Sequence, residues 1–76
     1  MTRPIRVLIG EDEQALGTLL RDFLAQRGCD ATLVLTGDET LAALKAQSFD
    51  VAVLDVTMPG IDGLEILRRL GSEDDP

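Results

Sequence analysis

Phe49-Asp50-Val51-Ala52-Val53-Leu54-Asp55-Val56-Thr57-Met58-Pro59-Gly60-Ile61-Asp62-Gly63 joins an unbroken apolar tetrad to an aspartate, and that aspartate to a loop marked by a proline and two glycines. Four consecutive apolar residues, two of them β-branched, suit a short strand covered on both faces of a parallel sheet. An acidic residue directly ending such a strand would be costly unless solvated, capped or metal-bound, which singles out Asp55 as a functional carboxylate. Pro59, Gly60 and Gly63 are equally well explained by ordinary turn chemistry. Asp62 and Glu65 have capping-box spacing, so a third helix is expected over Leu64 to Leu70, stopped by Gly71. The tail, residues 72–76, carries no core-forming residue and is expected to be loose.

Upstream, Ile5 to Ile9 is a second near-continuous apolar run and predicts strand one. After Glu11-Asp12-Glu13, apolar side chains recur at Leu16, Leu19, Leu20, Phe23 and Leu24, the spacing of one helical stripe, with Asp12 as its cap and Gly28 as its stop. Residues 31–35 predict strand two. Thr36 and Glu39 have capping-box spacing and open a second helix from about Asp38 to Gln47. Its lighter apolar face, Leu41, Ala42 and Leu44, implies a smaller contact with the sheet than helix one makes. The order β-α-β-α-β-α with short connections is α/β architecture: parallel strands, right-handed crossovers and helices on both faces. In such sheets ligands sit beyond the carboxyl ends of the strands, where the polar residues of interest lie.

The 76 residues leave room for one small domain, with a core expected over residues 5–71. A hydrophobic share of 45% and the absence of low-complexity tracts fit a chain that folds. With 14 acidic and 7 basic residues the net charge is -7, which opposes direct binding of nucleic acid or of an anionic membrane surface. No apolar run approaches the roughly 20 residues of a membrane span, and the expected location is cytoplasmic. Cys29 is the one cysteine and there is no histidine, so neither an internal disulfide nor a Cys/His zinc site is expected.

If strands one and three are neighbours, Glu11, Asp12 and Asp55 converge at one end of the sheet. Like charges brought together repel, and a hard, oxygen-seeking ion relieves the repulsion; magnesium is commonly held by one or two carboxylates, waters and a substrate phosphate. A site that binds Mg²⁺ weakly until a phosphoryl group arrives is the expectation. For Glu13 the simpler reading holds, a negative charge at the positive end of a helix, worth about 0.3–1 kcal/mol.

The acidic trio together with the stretch from Phe49 to Gly63 resembles the receiver domain of bacterial two-component response regulators, in register from about Ile5 to Leu70. The resemblance implies a flavodoxin-like (CheY-like) doubly wound parallel sheet, here three β-α units with strand order 2-1-3. It implies that Asp55 takes a phosphoryl group from a sensor histidine kinase or phosphotransfer protein, forming an aspartyl phosphate. Asp12 would bind Mg²⁺ directly, Glu11 through water, and the backbone carbonyl of Thr57 would complete the protein's share. The chain would then be a signalling phosphoacceptor and not an enzyme, at most assisting its own phosphorylation and dephosphorylation.

The family pattern has five strand-helix units, and the Ser or Thr of its fourth strand and the Lys of its fifth cannot be assigned here; Lys45, the only lysine, falls on the second helix. A truncated, phosphorylation-incompetent binding or dimerisation fragment is therefore the standing alternative. Strand three would become an exposed edge, inviting a homodimer or a strand-swapped oligomer, and the core would supply no more than about 3–5 kcal/mol. Magnesium-dependent phosphatases of the haloacid-dehalogenase type need a second Asp two residues after the first, where this chain has Thr57. A nucleotide- or flavin-binding module would want a glycine-rich loop where this chain has Gly10-Glu11-Asp12-Glu13.

Overall fold

A computed structural model of the chain describes residues 3–55 and Arg68. The order is β1 (Arg6–Gly10), α1 (Gln14–Gln26), β2 (Asp30–Val34), α2 (Gly37–Ala46) and β3 (Val51–Leu54). The sheet runs β2-β1-β3 and both pairings are parallel, as the flavodoxin-like reading requires. Elements fall within a residue of their expected places: β1 and β2 are each shifted by one, leaving Ile5 outside the ladder and 54% exposed. Of the third helix only Arg68 is described, and it is helical. The loop from Val56 to Gly63, the Asp62–Glu65 box and the tail lie outside the described residues.

β1 is the middle strand because its residues tolerate cover on both sides. Val7, Leu8 and Ile9 are all buried, Leu8 completely. Register pairs Ile9 with Leu33 on one side and Val53 on the other, so these three side chains share a face. α1 lies on that face, where Gly17 allows the closest approach: a Cβ there would stand 2.5 Å from Leu33 Cδ1. The first crossover leads from β1 to β2 and the second returns past β1 to β3. Two right-handed crossovers in opposite directions place α2 on the other face, over Leu8.

The helix ends follow local chemistry, with one correction. Asp12 is not the cap of α1; Glu13 is, in extended conformation and with no side-chain cap bond, and its carbonyl accepts the Gly17 N–H at 2.9 Å. α1 closes in a Schellman arrangement: Cys29 N–H donates to the Leu24 carbonyl, Gly28 N–H to that of Ala25, and Gly28 takes φ +87°. At α2 the box forms as expected, since Thr36 Oγ1 accepts the Glu39 N–H at 3.1 Å. The Glu39 carboxylate in turn accepts from the Thr36 hydroxyl and the Leu35 N–H. The buried face of α2 differs from the expected one. Gly37, Thr40 and Leu41 are buried, Leu44 is half-buried, and Ala42 is exposed. Thr40 is tolerated there because its hydroxyl donates to the Thr36 carbonyl at 2.8 Å. On α1, the apolar stripe is only partly covered, with Leu19 65% and Phe23 50% exposed.

A latch that the sequence reading did not anticipate closes the amino-terminal end of the sheet. Arg3 makes a two-pronged pair with Asp50, both contacts at 2.9 Å, and Arg6 N–H donates to the same carboxylate at 2.8 Å. Asp50 N–H donates back to the Arg6 carbonyl, and the Arg6 guanidinium lies 5.4 Å from the centre of the Phe49 ring. The Arg3 bond, then the Arg6 N–H, hold the Asp50 carboxyl at about 2, below its ordinary 3.8.

Two predictions follow from this packing. Leu8→Ala should cost about 2–5 kcal/mol in urea unfolding, because a fully enclosed side chain leaves a cavity; Leu19→Ala should stay within about 0.5 kcal/mol. The Asp50 carboxyl is lowered on folding, so the unfolded chain binds the extra proton. Its stabilisation is whole above pH 3.8 and is lost as pH falls through about 2. In Arg3→Ala the Asp50 titration, followed by carboxyl NMR, should move up toward 3.8 and the acid-dependent loss of stability should become smaller and end at a higher pH; an unmoved midpoint would show that the latch does not set it.

Candidate metal and phosphoryl site

Main-chain hydrogen bonds continue the ladder one residue past the ends of the strands, and these bonds position the acidic residues. Glu11 N–H donates to the Val34 carbonyl at 3.0 Å, and Asp55 N–H to the Gly10 carbonyl at 2.8 Å. Glu11 and Asp55 are thereby anchored on either side of the carboxyl end of β1. Asp12, the next residue in the β1–α1 turn, is exposed, while Glu11 and Asp55 are half-buried.

One carboxylate oxygen from each of Glu11, Asp12 and Asp55 lies within 4.8 Å of the other two. The expected convergence is therefore present. Thr57, the fourth expected ligand, lies outside the described residues. Glu13 stands apart from the cluster as a side chain, but its N–H donates to Glu11 Oε2 at 3.0 Å and so aims that carboxylate. Nothing in residue type betrays this bond; it follows from the turn that β1 must make into α1.

The electrostatics carry the mark of crowding. The Glu13 N–H pulls the Glu11 carboxyl down, yet burial and the neighbouring Asp12 and Asp55 outweigh it and the net shift is upward. A carboxyl that is raised although it accepts a backbone N–H is partly withdrawn from water and set among like charges.

The donor set suits a hard divalent ion. All three groups offer oxygen, and an octahedron with bonds of about 2.0–2.1 Å places adjacent oxygens about 3 Å apart. Small inward rotations of side chains that are partly exposed meet that spacing. The same three groups offer nothing to a soft metal, and Cys29 is remote in the fold, following the far end of α1.

Comparison with known proteins gives the family and agrees with the fold. A family model described as the response regulator receiver domain matches residues 7–76. The transcriptional regulatory protein TrcR of Mycobacterium tuberculosis is 44% identical over 71 residues, covering 93% of this chain and 28% of that protein. Among solved structures, the receiver domain of the Francisella response regulator 1452 superposes with a TM-score of 0.89 at 27% identity, over 92% of this chain and 58% of that one. The response regulator TrrA of Thermotoga maritima, solved in complex with Mg(2+)-BeF, superposes with a TM-score of 0.84 at 30% identity, over 92% of this chain and 61% of that one. The chain thus spans less than a third of the curated relative and about three fifths of the matched receiver structures. Among the described residues no helix is long and apolar enough to cross a membrane.

If repulsion dominates the site, Asp12→Asn should raise the melting temperature in chelator, since it removes one of three clustered charges. Added Mg²⁺ should raise the wild-type melting temperature and have less effect on the variant. Equal gains with Mg²⁺ in both proteins would remove Asp12 from the ligand set.

Proposed function

Because this chain belongs to the response regulator receiver family, we propose that it is the phosphoacceptor part of a two-component phosphorelay, with Asp55 as the residue phosphorylated. The observation that carries the reading is the gathering of Glu11 and Asp12 around a carboxylate that ends the strand beside β1. The donor would be the phosphohistidine of a sensor histidine kinase or a phosphotransfer protein. An oxygen of Asp55 attacks phosphorus, the phosphorus–nitrogen bond breaks, and the imidazole leaves with the bonding pair, giving an acyl phosphate. The backbone bond from Asp55 N–H to the Gly10 carbonyl fixes where the nucleophile's side chain leaves the main chain.

Glu11, Asp12, Asp55 and the backbone carbonyl of Thr57 are the proposed Mg²⁺ ligands, Glu11 through water. The bound ion supplies positive charge to the transferring group and to the crowded carboxylates. Likeness to a regulator that holds Mg(2+)-BeF supports magnesium over a softer metal. The net charge of -7 suits a module that meets another protein and not nucleic acid. A signalling role of this kind is that of a phosphoacceptor in the cytoplasm, with any output carried by other segments or partners.

The test is intact-mass analysis after incubation with Mg²⁺ and acetyl phosphate, beside Asp55→Asn, with circular dichroism to confirm folding. The expected result is one added phosphoryl group on the wild type and none on the variant. A folded wild type that stays unlabelled would favour the other reading, a phosphorylation-incompetent binding fragment. That outcome would trace the missing activity to groups outside Glu11, Asp12 and Asp55.

A further inference from the structure

Glu11 is held in the acidic cluster by two tethers that come from two different elements. Its N–H donates to the Val34 carbonyl of β2 at 3.0 Å, which fixes the main chain, and its Oε2 accepts the Glu13 N–H at 3.0 Å, which fixes the carboxylate. Glu13 is the N-cap of α1, and its carbonyl in turn accepts the Gly17 N–H at 2.9 Å. Where the Glu11 carboxylate points is therefore set by how α1 sits on β2.

The two elements meet at Gly17. It is the buried residue of α1, and a Cβ built on it would stand 2.5, 3.0 and 3.3 Å from Cδ1, Cδ2 and Cγ of Leu33, the residue before Val34. Alanine is the better helix former, so propensity argues against a glycine in this helix and space argues for it. Rotating the end of the Leu33 side chain exchanges one methyl for the other and leaves Cγ in place. Ile9, its partner in the register, is 1% exposed and closes the side toward β1. Carbon atoms in contact stand about 3.5–4.0 Å apart, so a methyl group at residue 17 lifts the first turn of α1 by about 1 Å. A lift of that size carries the Glu13 N–H out of hydrogen-bond reach of a Glu11 that β2 holds in place.

We propose that Gly17 is a positioning residue for the acidic site: by letting α1 seat on Leu33, it holds the Glu13 N–H on the Glu11 carboxylate and aims that group into the cluster with Asp12 and Asp55. The contacts form a closed circuit, from Val34 to Glu11, Glu13, Gly17 and Leu33, and back to Val34 along β2. The inference rests on the reading of the cluster as a Mg²⁺ site. Gly17 acts through Glu13 and Glu11, as the groups that orient metal ligands from behind commonly do.

The test is calorimetric titration of the 76-residue chain with Mg²⁺, with the Glu13 amide followed by NMR in chelator. In Gly17→Ala the affinity should fall about tenfold or more, and the Glu13 amide proton should move upfield and exchange faster before any metal is added. Adding Leu33→Ala to Gly17→Ala removes the obstructing atoms and should bring both readouts back toward the wild type, a rescue that a general loss of packing would not give. If circular dichroism shows Gly17→Ala unfolded, Glu13→Pro replaces it: the Glu13 φ of −83° is close to the proline range, and proline lacks the N–H. Its affinity should fall about tenfold below that of Glu13→Gln, which loses the same charge but keeps the donor; equal affinities overturn the proposal. A wild type that binds Mg²⁺ beside a folded Gly17→Ala that binds it equally, or whose Glu13 amide is unmoved, overturns the role of Gly17 alone. A wild type that takes up no Mg²⁺ overturns the cation reading and the role of Gly17 with it.

Discussion

β1 is hydrogen-bonded on both edges and enclosed on both faces, and the rest of the molecule is arranged by that constraint. A strand so placed can be built only from side chains that lose nothing on leaving water, which is why Val7, Leu8 and Ile9 are buried together. Once β1 is central, β2 and β3 must flank it, and right-handed crossovers then send α1 and α2 to opposite faces. The position of every acidic side chain in the site descends from the same strand. Glu11 follows it directly, and Asp55 is tied to its last residue by the Gly10 carbonyl.

Parallel pairing also gives the sheet two unlike ends. Because all three strands start at one end, charges placed before them meet there, and Arg3, Arg6 and Asp50 compose a satisfied cluster. Charges placed after the strands meet at the other end, where the carboxylates of Glu11, Asp12 and Asp55 come together. The first arrangement lowers a carboxyl to about 2 and the second raises one, although burial pushes both carboxyls upward. Local solvation alone would not separate them; the sign of the neighbours does.

Much of this was legible in the sequence. The apolar tetrad before Asp55, the run before Glu11 and the Thr36–Glu39 spacing each encode a local rule, and each appears within a residue of its expected place. The Asp12 cap was misplaced because three consecutive acidic residues satisfy the same preference, and only the turn geometry decides that Glu13 adopts the extended conformation and starts the helix. Periodicity marked the apolar side of α1 but carries no information about what covers it, so the exposure of Leu19 and Phe23 could not be read. The exposure of Ala42 beside the burial of Thr40 has a similar origin: a threonine that returns its hydroxyl to the helix can occupy a buried position that hydropathy would assign to alanine. The Arg3–Asp50 latch needed the β1–β3 register, which brings residue 50 beside residue 6.

The crowded end links the charge state of the cluster to the stability of the fold. Backbone bonds hold Glu11 and Asp55 near one another, so their repulsion is built into the folded state, whereas in the unfolded chain only the adjacent Glu11 and Asp12 remain close. Any ligand that neutralises the cluster then stabilises the fold by its own binding free energy. By reciprocity, whatever tightens the ladder around β1 also tightens the site. A cluster already provided with an arginine, like the one at the opposite end, would have little left to gain from a ligand. Holding three carboxylates together at the carboxyl end costs the protein some stability, which any neutralising group bound there would recover.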